Sequence, residues 1–146
     1  GNDMGMDTRV ITEMAEYFEK ELHFNIPANL PLVGKDFNIT RAGIHADGLL
    51  KNEEIYNIFD TAALLKRPVE VAITDKSGVA GIVLWTHNKI GRGAELKKDH
   101  PGVKKINKWI TRQYDRGRTT TISDKEMLKQ VKKHLSDWIK ESGFAL

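Results

Sequence analysis

Apolar positions along the chain repeat mostly with helical spacing. Val10, Met14 and Phe18 stand four apart with Ile11 and Leu22 beside them, which predicts a helix over Asp7 to His23 that Asp7 or Thr8 caps. Phe24 to Gly34 carries two prolines, each removing a backbone donor and disfavouring helix before it, so an extended strap follows. Ala42 to Lys51 and Asn52 to Phe59 predict two short helical pieces, with Asn52 as an N-cap and Glu53 and Glu54 set against the helix dipole. Pro68 to Asp75 places Val69, Val71 and Ile73 at alternate positions and is the one segment with strand character.

Ser77 to Ile90 is apolar almost all round, which predicts a buried helix stopped by Gly91. Its inner glycines, Gly78 and Gly81, allow close backbone approach, for tight packing or for a ligand. Pro101 opens a further helix in which Val103, Ile106, Trp109 and Ile110 share a face, ending near Gly117. Ser123 and Glu126 have capping-box spacing, Ile122 and Met127 that of a hydrophobic staple, and Leu128, Val131, Leu135 and Ile139 predict one last helix to Gly143. The expected class is mainly α: small helical subdomains with at most one short extended segment and no catalytic (β/α)8 barrel. A division at residue 60 is expected, with a linker helix, strap and lid over 1–60 and a helical subdomain over 61–146.

At 146 residues the chain suits one ordinary domain, whereas a barrel needs about 250. The apolar (40%) and charged (29%) fractions are those of a soluble globular protein. Without cysteine there is no disulfide or thiolate metal site, and Gly1 to Asp7 lacks the basic start and apolar run of a signal peptide, so a cytoplasmic location is expected. Residues 1–90 hold 9 Lys/Arg against 13 Asp/Glu, and residues 91–146 hold 14 against 7. The basic half is either a solvated helix surface or, as an alternative function, an independent helical module for an anionic partner.

No His of the five, at 23, 45, 87, 100 and 134, has the spacing of a recognised zinc motif, and GxSxG, Walker and GxGxxG patterns are absent. His23 and His100 sit at predicted helix ends, where capping is the plain role, and His87 and His134 read as surface or boundary residues. His45 differs in following a small, Gly-containing turn, with Asp47 two residues on. An imidazole titrates near neutrality and is able to act as a general base, although a lone histidine is more often structural.

Val33 to Asp60, VGKDFNITRAGIHADGLLKNEEIYNIFD, resembles the region after the barrel in 2-isopropylmalate synthase, homocitrate synthase and related Claisen-condensing enzymes. Ala42-Gly43-Ile44-His45 matches the family's turn, Tyr56 stands 11 positions after His45, and Asp75 to Ile82 is similar to its SG-x-x-G segment. The wording RAGIHADGLLK is similar to the Re-type citrate synthase branch, which implies oxaloacetate as acceptor. Two positions depart from the wider family: Thr40 stands where a histidine is common, and Asp47 where homocitrate synthases often carry lysine.

The resemblance implies a lid over the barrel of a partner subunit in a homodimer that condenses acetyl-CoA with a 2-oxo acid. It implies His45 as, or assisting, the base that deprotonates the acetyl methyl group, and Tyr56 as a hydrogen-bond group near the reacting carbonyl or thioester. Arg41, Gly43, Asp47, Ser77 and Gly78 fall in the implied substrate and lid region. The divalent metal of such enzymes is held by a barrel HxH pair and an aspartate. No HxH occurs here, so no metal ligand, no cofactor, no nucleic acid and no membrane is expected for this segment, and the segment alone is expected to be inactive.

Overall fold

The computed structural model describes residues 5–52, 56–57 and 59–144. In chain order its elements are α1 (Val10–Lys20), β1 (Ile39–Thr40), α2 (Gly43–Lys51), α3 (Thr61–Leu65), β2 (Glu70–Val71), α4 (Gly78–Lys89), α5 (Pro101–Asp115), α6 (Asp124–His134) and α7 (Ser136–Glu141). The fold is mainly α, as the hydropathy pattern predicts. Among the described residues no helix is long and apolar enough to cross a membrane.

The helix that is apolar all round becomes the axis. α4 is buried from Ala80 to Thr86 and packs against α2, α5 and β2. Ile82, Trp85, Ile106, Ile110, Met127, Val131 and Leu135 are all at most 2% exposed and form one core. Each such side chain contributes roughly 1.5–3 kcal/mol by leaving water. The indole N–H of Trp85 donates to Asp124 at 2.9 Å and that of Trp138 to the Ala94 carbonyl at 2.8 Å, so their burial strands no polar group. A Cβ on Gly81 would lie 2.7 Å from the Ser77 Cβ and 3.6 Å from Val71, so this glycine serves close packing of α4 on β2.

The alternation at Val69, Val71 and Ile73 does mark a strand, and all three are buried. Its partner is β1, in parallel register with Ile39 opposite Glu70 and Thr40 opposite Val71; Ala72 N–H donates to the Thr40 carbonyl at 2.9 Å. Ile73 also bridges antiparallel to Ile122.

The last predicted helix is two. Leu135, at φ −124° and ψ 23°, separates α6 from α7, and at this joint Gly102 presses so closely on the His134 carbonyl that no side chain fits between them. The crossing of α5 sets the break, which the apolar stripe alone does not reveal. The capping box is formed: Ser123 N–H donates to the Glu126 carboxylate at 2.9 Å and Glu126 N–H to the Ser123 hydroxyl at 3.3 Å. Arg118 adds bonds of 2.7 and 2.8 Å to the same carboxylate. At the start of α5 the His100 imidazole accepts the Gly102 N–H at 3.0 Å, the capping role expected for it.

α1 is held by polar bonds more than by its stripe. The Thr8 and Thr12 hydroxyls donate to the Leu64 and Leu65 carbonyls, each at 2.6 Å, and Lys66 pairs with Glu13 at 2.7 Å. Val10, Met14 and Phe18 stay more than 40% exposed. The strap is extended only at first: Leu30 N–H closes a turn on the Pro27 carbonyl, and Arg67 gathers the next turn by donating to the Leu32, Gly34 and Lys35 carbonyls while lying over the Phe37 ring at 4.7 Å. The helical piece expected over Asn52 to Phe59 does not form where it is described: Asn52 closes α2 in extended backbone instead of capping a new helix, and Tyr56, Asn57 and Phe59 are not helical, while residues 53–55 and 58, with the expected dipole role of Glu53 and Glu54, lie outside the described residues.

Candidate active site

α2 is short, and its position depends on how its ends are fixed. Before it, Gly43 N–H donates to the Lys76 carbonyl at 2.8 Å, and a Cβ on Gly43 would lie 2.6 Å from the Ser77 carbonyl. The fully buried Ser77 hydroxyl accepts the Thr74 N–H at 2.9 Å and shares its one hydrogen between the Arg41 and Ala72 carbonyls, each 3.1 Å away. Gly78 follows with φ +57°, left-handed backbone suited to glycine, where α4 begins. Arg41, Gly43, Ser77 and Gly78 are thus brought together as a buckle tying the entry of α2 to the entry of α4. Asp47 takes a different part: its carboxylate pairs with Lys98 and, at 2.9 Å, with Lys51, and those cations hold its carboxyl below the usual carboxylate range.

Within α2, Ala46 is fully buried against the core while His45, one residue earlier, is exposed. The His45 and Tyr56 rings meet with centroids 4.6 Å apart and planes inclined at 46°. Tyr56 reaches this place over Gly48, one helical turn beyond His45, whose missing side chain leaves room for the ring edge. The two rings form one wall of a pocket of about 180 Å³ that Asn38, Thr40 and Asn57 complete with polar groups and Phe37, Leu49 and Val69 with apolar ones. The Asn38 amide donates to the Thr61 hydroxyl at 3.1 Å and the Arg67 carbonyl at 2.9 Å, so it builds the wall. Ser77, Gly78 and Asp47 do not line this pocket.

Gly48, Asn38 and Arg67 are parts of the site that the residue pattern did not single out. A glycine in a helix is a weak signal by itself, and the other two act across more than 20 residues of chain.

Of the other histidines, His87 is half-buried beside Trp138 and burial lowers its pKa, with Arg92 adding to the effect; His134 is lowered likewise by burial and by Lys133 and Lys105. Among the described residues no three His, Cys, Asp or Glu side chains converge on a common point. What the site offers is an imidazole beside a phenol, both reachable, over a small pocket that no Asp, Glu, Lys or Arg lines among the described residues.

The chain belongs to the family of synthases that includes citrate (Re)-synthase and 2-isopropylmalate synthase. Within it, the chain is 52% identical over 139 residues to the citrate (Re)-synthase of Syntrophus aciditrophicus, covering 94% of this chain and 22% of that protein. It is 46% identical over 144 residues to the citrate (Re)-synthase of Clostridium kluyveri, covering 97% of this chain and 32% of that protein. To the 2-phosphinomethylmalate synthase of Streptomyces hygroscopicus it is 38% identical over 103 residues, 70% of this chain and 23% of that protein. The chain therefore spans about a fifth to a third of the length of these relatives. No family model matches it.

Proposed function

We propose that this chain is the post-barrel lid and communication part of an acyltransferase that condenses acetyl-CoA with a 2-oxo acid, and that it supplies His45 and Tyr56 to the active site. Residues 1–60 serve as linker, strap and lid, and residues 61–146 as the helical support. The observation that carries this proposal is the ring pair: two residues 11 apart, across a turn, meet at 4.6 Å on the wall of one pocket. Support for oxaloacetate as the acceptor comes from the 52% and 46% identity to two citrate (Re)-synthases, against 34% to a 2-isopropylmalate synthase.

In this role the His45 imidazole takes a proton from the acetyl methyl carbon, and the Tyr56 hydroxyl donates to an oxygen of the thioester or acceptor carbonyl. General acid–base assistance of this kind is worth on the order of 10²–10⁴-fold. In the complete enzyme a bound divalent metal would supply Lewis-acid polarisation of the acceptor carbonyl, and the part of this chain is the proton transfer at His45 and the hydrogen bond from Tyr56. The complete enzyme is a homodimer in which this lid covers the partner subunit's barrel. In the complete enzyme His45→Ala should lower kcat by on the order of 10²-fold or more. Undiminished turnover would remove His45 from the chemistry.

One feature favours a second role for the same chain. Lys104, Lys108 and Arg112 follow one another at single-turn spacing along α5 and line, with Val79 and a single carboxylate at Asp115, a groove of about 430 Å³. An anion-binding module would show salt-dependent binding of a polyanion, because phosphate contacts release counterions. Binding that does not weaken with salt would discard it.

A further inference from the structure

Thr40 carries the one buried side-chain polar atom among the described residues that has no hydrogen-bond partner. A buried hydroxyl left unpaired costs roughly 1–3 kcal/mol, and such groups in native proteins call for a reason. Slack backbone is not the reason here. Thr40 sits in β1 opposite Val71, and its carbonyl accepts the Ala72 N–H at 2.9 Å, so its Cα is fixed. Valine has the same shape and a higher strand preference than most residues, and would fill the place without that cost. What threonine adds is a donor, and the side chain that bears it lines the same pocket as His45 and Tyr56.

The pocket suits a small partner for the donor. About 180 Å³ is room for roughly six water-sized groups at ~30 Å³ each, the size of a small oxygen-rich acid, in a depression open to solvent. Among the described residues no lysine or arginine lines it, so recognition there relies on neutral donors. Asn38 has both amide hydrogens engaged in the wall, and the proposed function assigns Tyr56 and His45 to the reacting groups. The Thr40 hydroxyl is buried where it stands, and rotation between staggered positions about Cα–Cβ is what changes the direction in which a threonine donor points.

We propose that Thr40 is a specificity-determining residue, whose hydroxyl donates a hydrogen bond to a carboxylate or keto oxygen of the acceptor acid; this rests on the assignment of the His45–Tyr56 pocket to that acid. The test uses Thr40→Val and Thr40→Ser in the complete barrel-containing enzyme, with oxaloacetate as the varied acid and His45→Ala as control. Thr40→Val should raise KM for oxaloacetate about 10-fold or more, the worth of a hydrogen bond to a charged group, and leave KM for acetyl-CoA within about twofold. Thr40→Ser, which keeps the hydroxyl, should restore the acid's KM to within a few-fold. In the 146-residue chain by itself Thr40→Val should melt at the same or a higher temperature.

An unchanged oxaloacetate KM in Thr40→Val, with His45→Ala inactive, overturns this inference and leaves the pocket assignment standing. Full activity of His45→Ala removes both. A lower melting temperature for Thr40→Val in the isolated chain shows that the hydroxyl is satisfied within the fold, and also overturns the inference.

Discussion

Gly48 stands three residues after His45 on α2, and the space beside its Cα is filled by the ring of Tyr56. A methyl group there meets the ring edge directly. Alanine is otherwise the better helix former, by about 0.5–1 kcal/mol in a helix interior. Gly48→Ala should therefore leave the chain as stable or more so, as read by thermal unfolding, while moving Tyr56 off His45. In the complete enzyme the same change should lower turnover at least 10-fold. Wild-type turnover together with raised stability would show that the ring contact has no part in the chemistry.

The phenol and the ring of Tyr56 are separable. Tyr56→Phe keeps the aromatic edge over Gly48 and removes only the hydroxyl, so the isolated chain should melt within a degree or two of the parent. The proposed hydrogen bond predicts a fall in kcat of on the order of 10-fold or more in the complete enzyme. An effect confined to Tyr56→Ala would point to packing alone.

The buckle at Ser77 is a stability element with a local consequence for α2. Ser77→Ala leaves the Thr74 N–H and the Arg41 and Ala72 carbonyls without their shared partner in a fully buried place. A cost of roughly 1–3 kcal/mol is expected from urea unfolding at neutral pH. Gly43→Ala strikes the other side of the same contact, 2.6 Å from the Ser77 carbonyl. The two changes should therefore be less than additive in a double-mutant cycle.

Acid should loosen the C-terminal helices through Glu126. Arg118, the Ser123 hydroxyl and the Ser123 N–H all bond its carboxylate and lower its pKa from 4.5 to about 2. A carboxylate with a depressed folded pKa contributes stability that is present above its unfolded value of 4.5 and lost as pH falls through about 2. Melting temperature should decline across that window, and Glu126→Gln should start lower at pH 6 and show a shallower decline.

How much of this was legible in the sequence follows from the range of the interactions. α4, α5 and the capping box at Ser123 were readable because stripes, Pro101 and caps act within a turn or two. β1 was not: two residues carry no period, and their strand character exists only because residues 70–71 lie alongside, 31 positions later. α3 is five residues long and was hidden for the same reason, although Asp60 caps it through the Ala63 N–H at 2.9 Å. In the site, the interval from His45 to Tyr56 was legible as a motif. The Gly48 seat, the Asn38 wall and the Arg67 anchor required the fold.

The face of α1 offers one more test. Met14, Phe18 and Leu22 are exposed by 54%, 42% and 54%, and Phe24 and Leu30 of the strap by 60% and 43%. So many open apolar side chains in one segment favour association with another surface. Light scattering on a size-exclusion column should find the isolated chain increasingly oligomeric with concentration, and Phe18→Glu should shift it toward monomer. An unchanged profile for that variant would place the contact elsewhere.

The sealed position of α4 has a consequence in time. Its amides from Ala80 to Thr86 have no route to solvent short of dismantling the core, so their exchange with deuterium tracks global unfolding. α1 is fastened to α3 by a few hydroxyl and lysine bonds and buries Ala15 as its one core residue, so it opens by breaking far fewer contacts. The pocket stands on the slow side of that difference: Thr40 pairs with the strand beneath α4, and His45 lies on α2, which packs on α4 through the fully buried Ala46. These walls of the site thus keep the slow clock of the core, while α1 runs on a faster one.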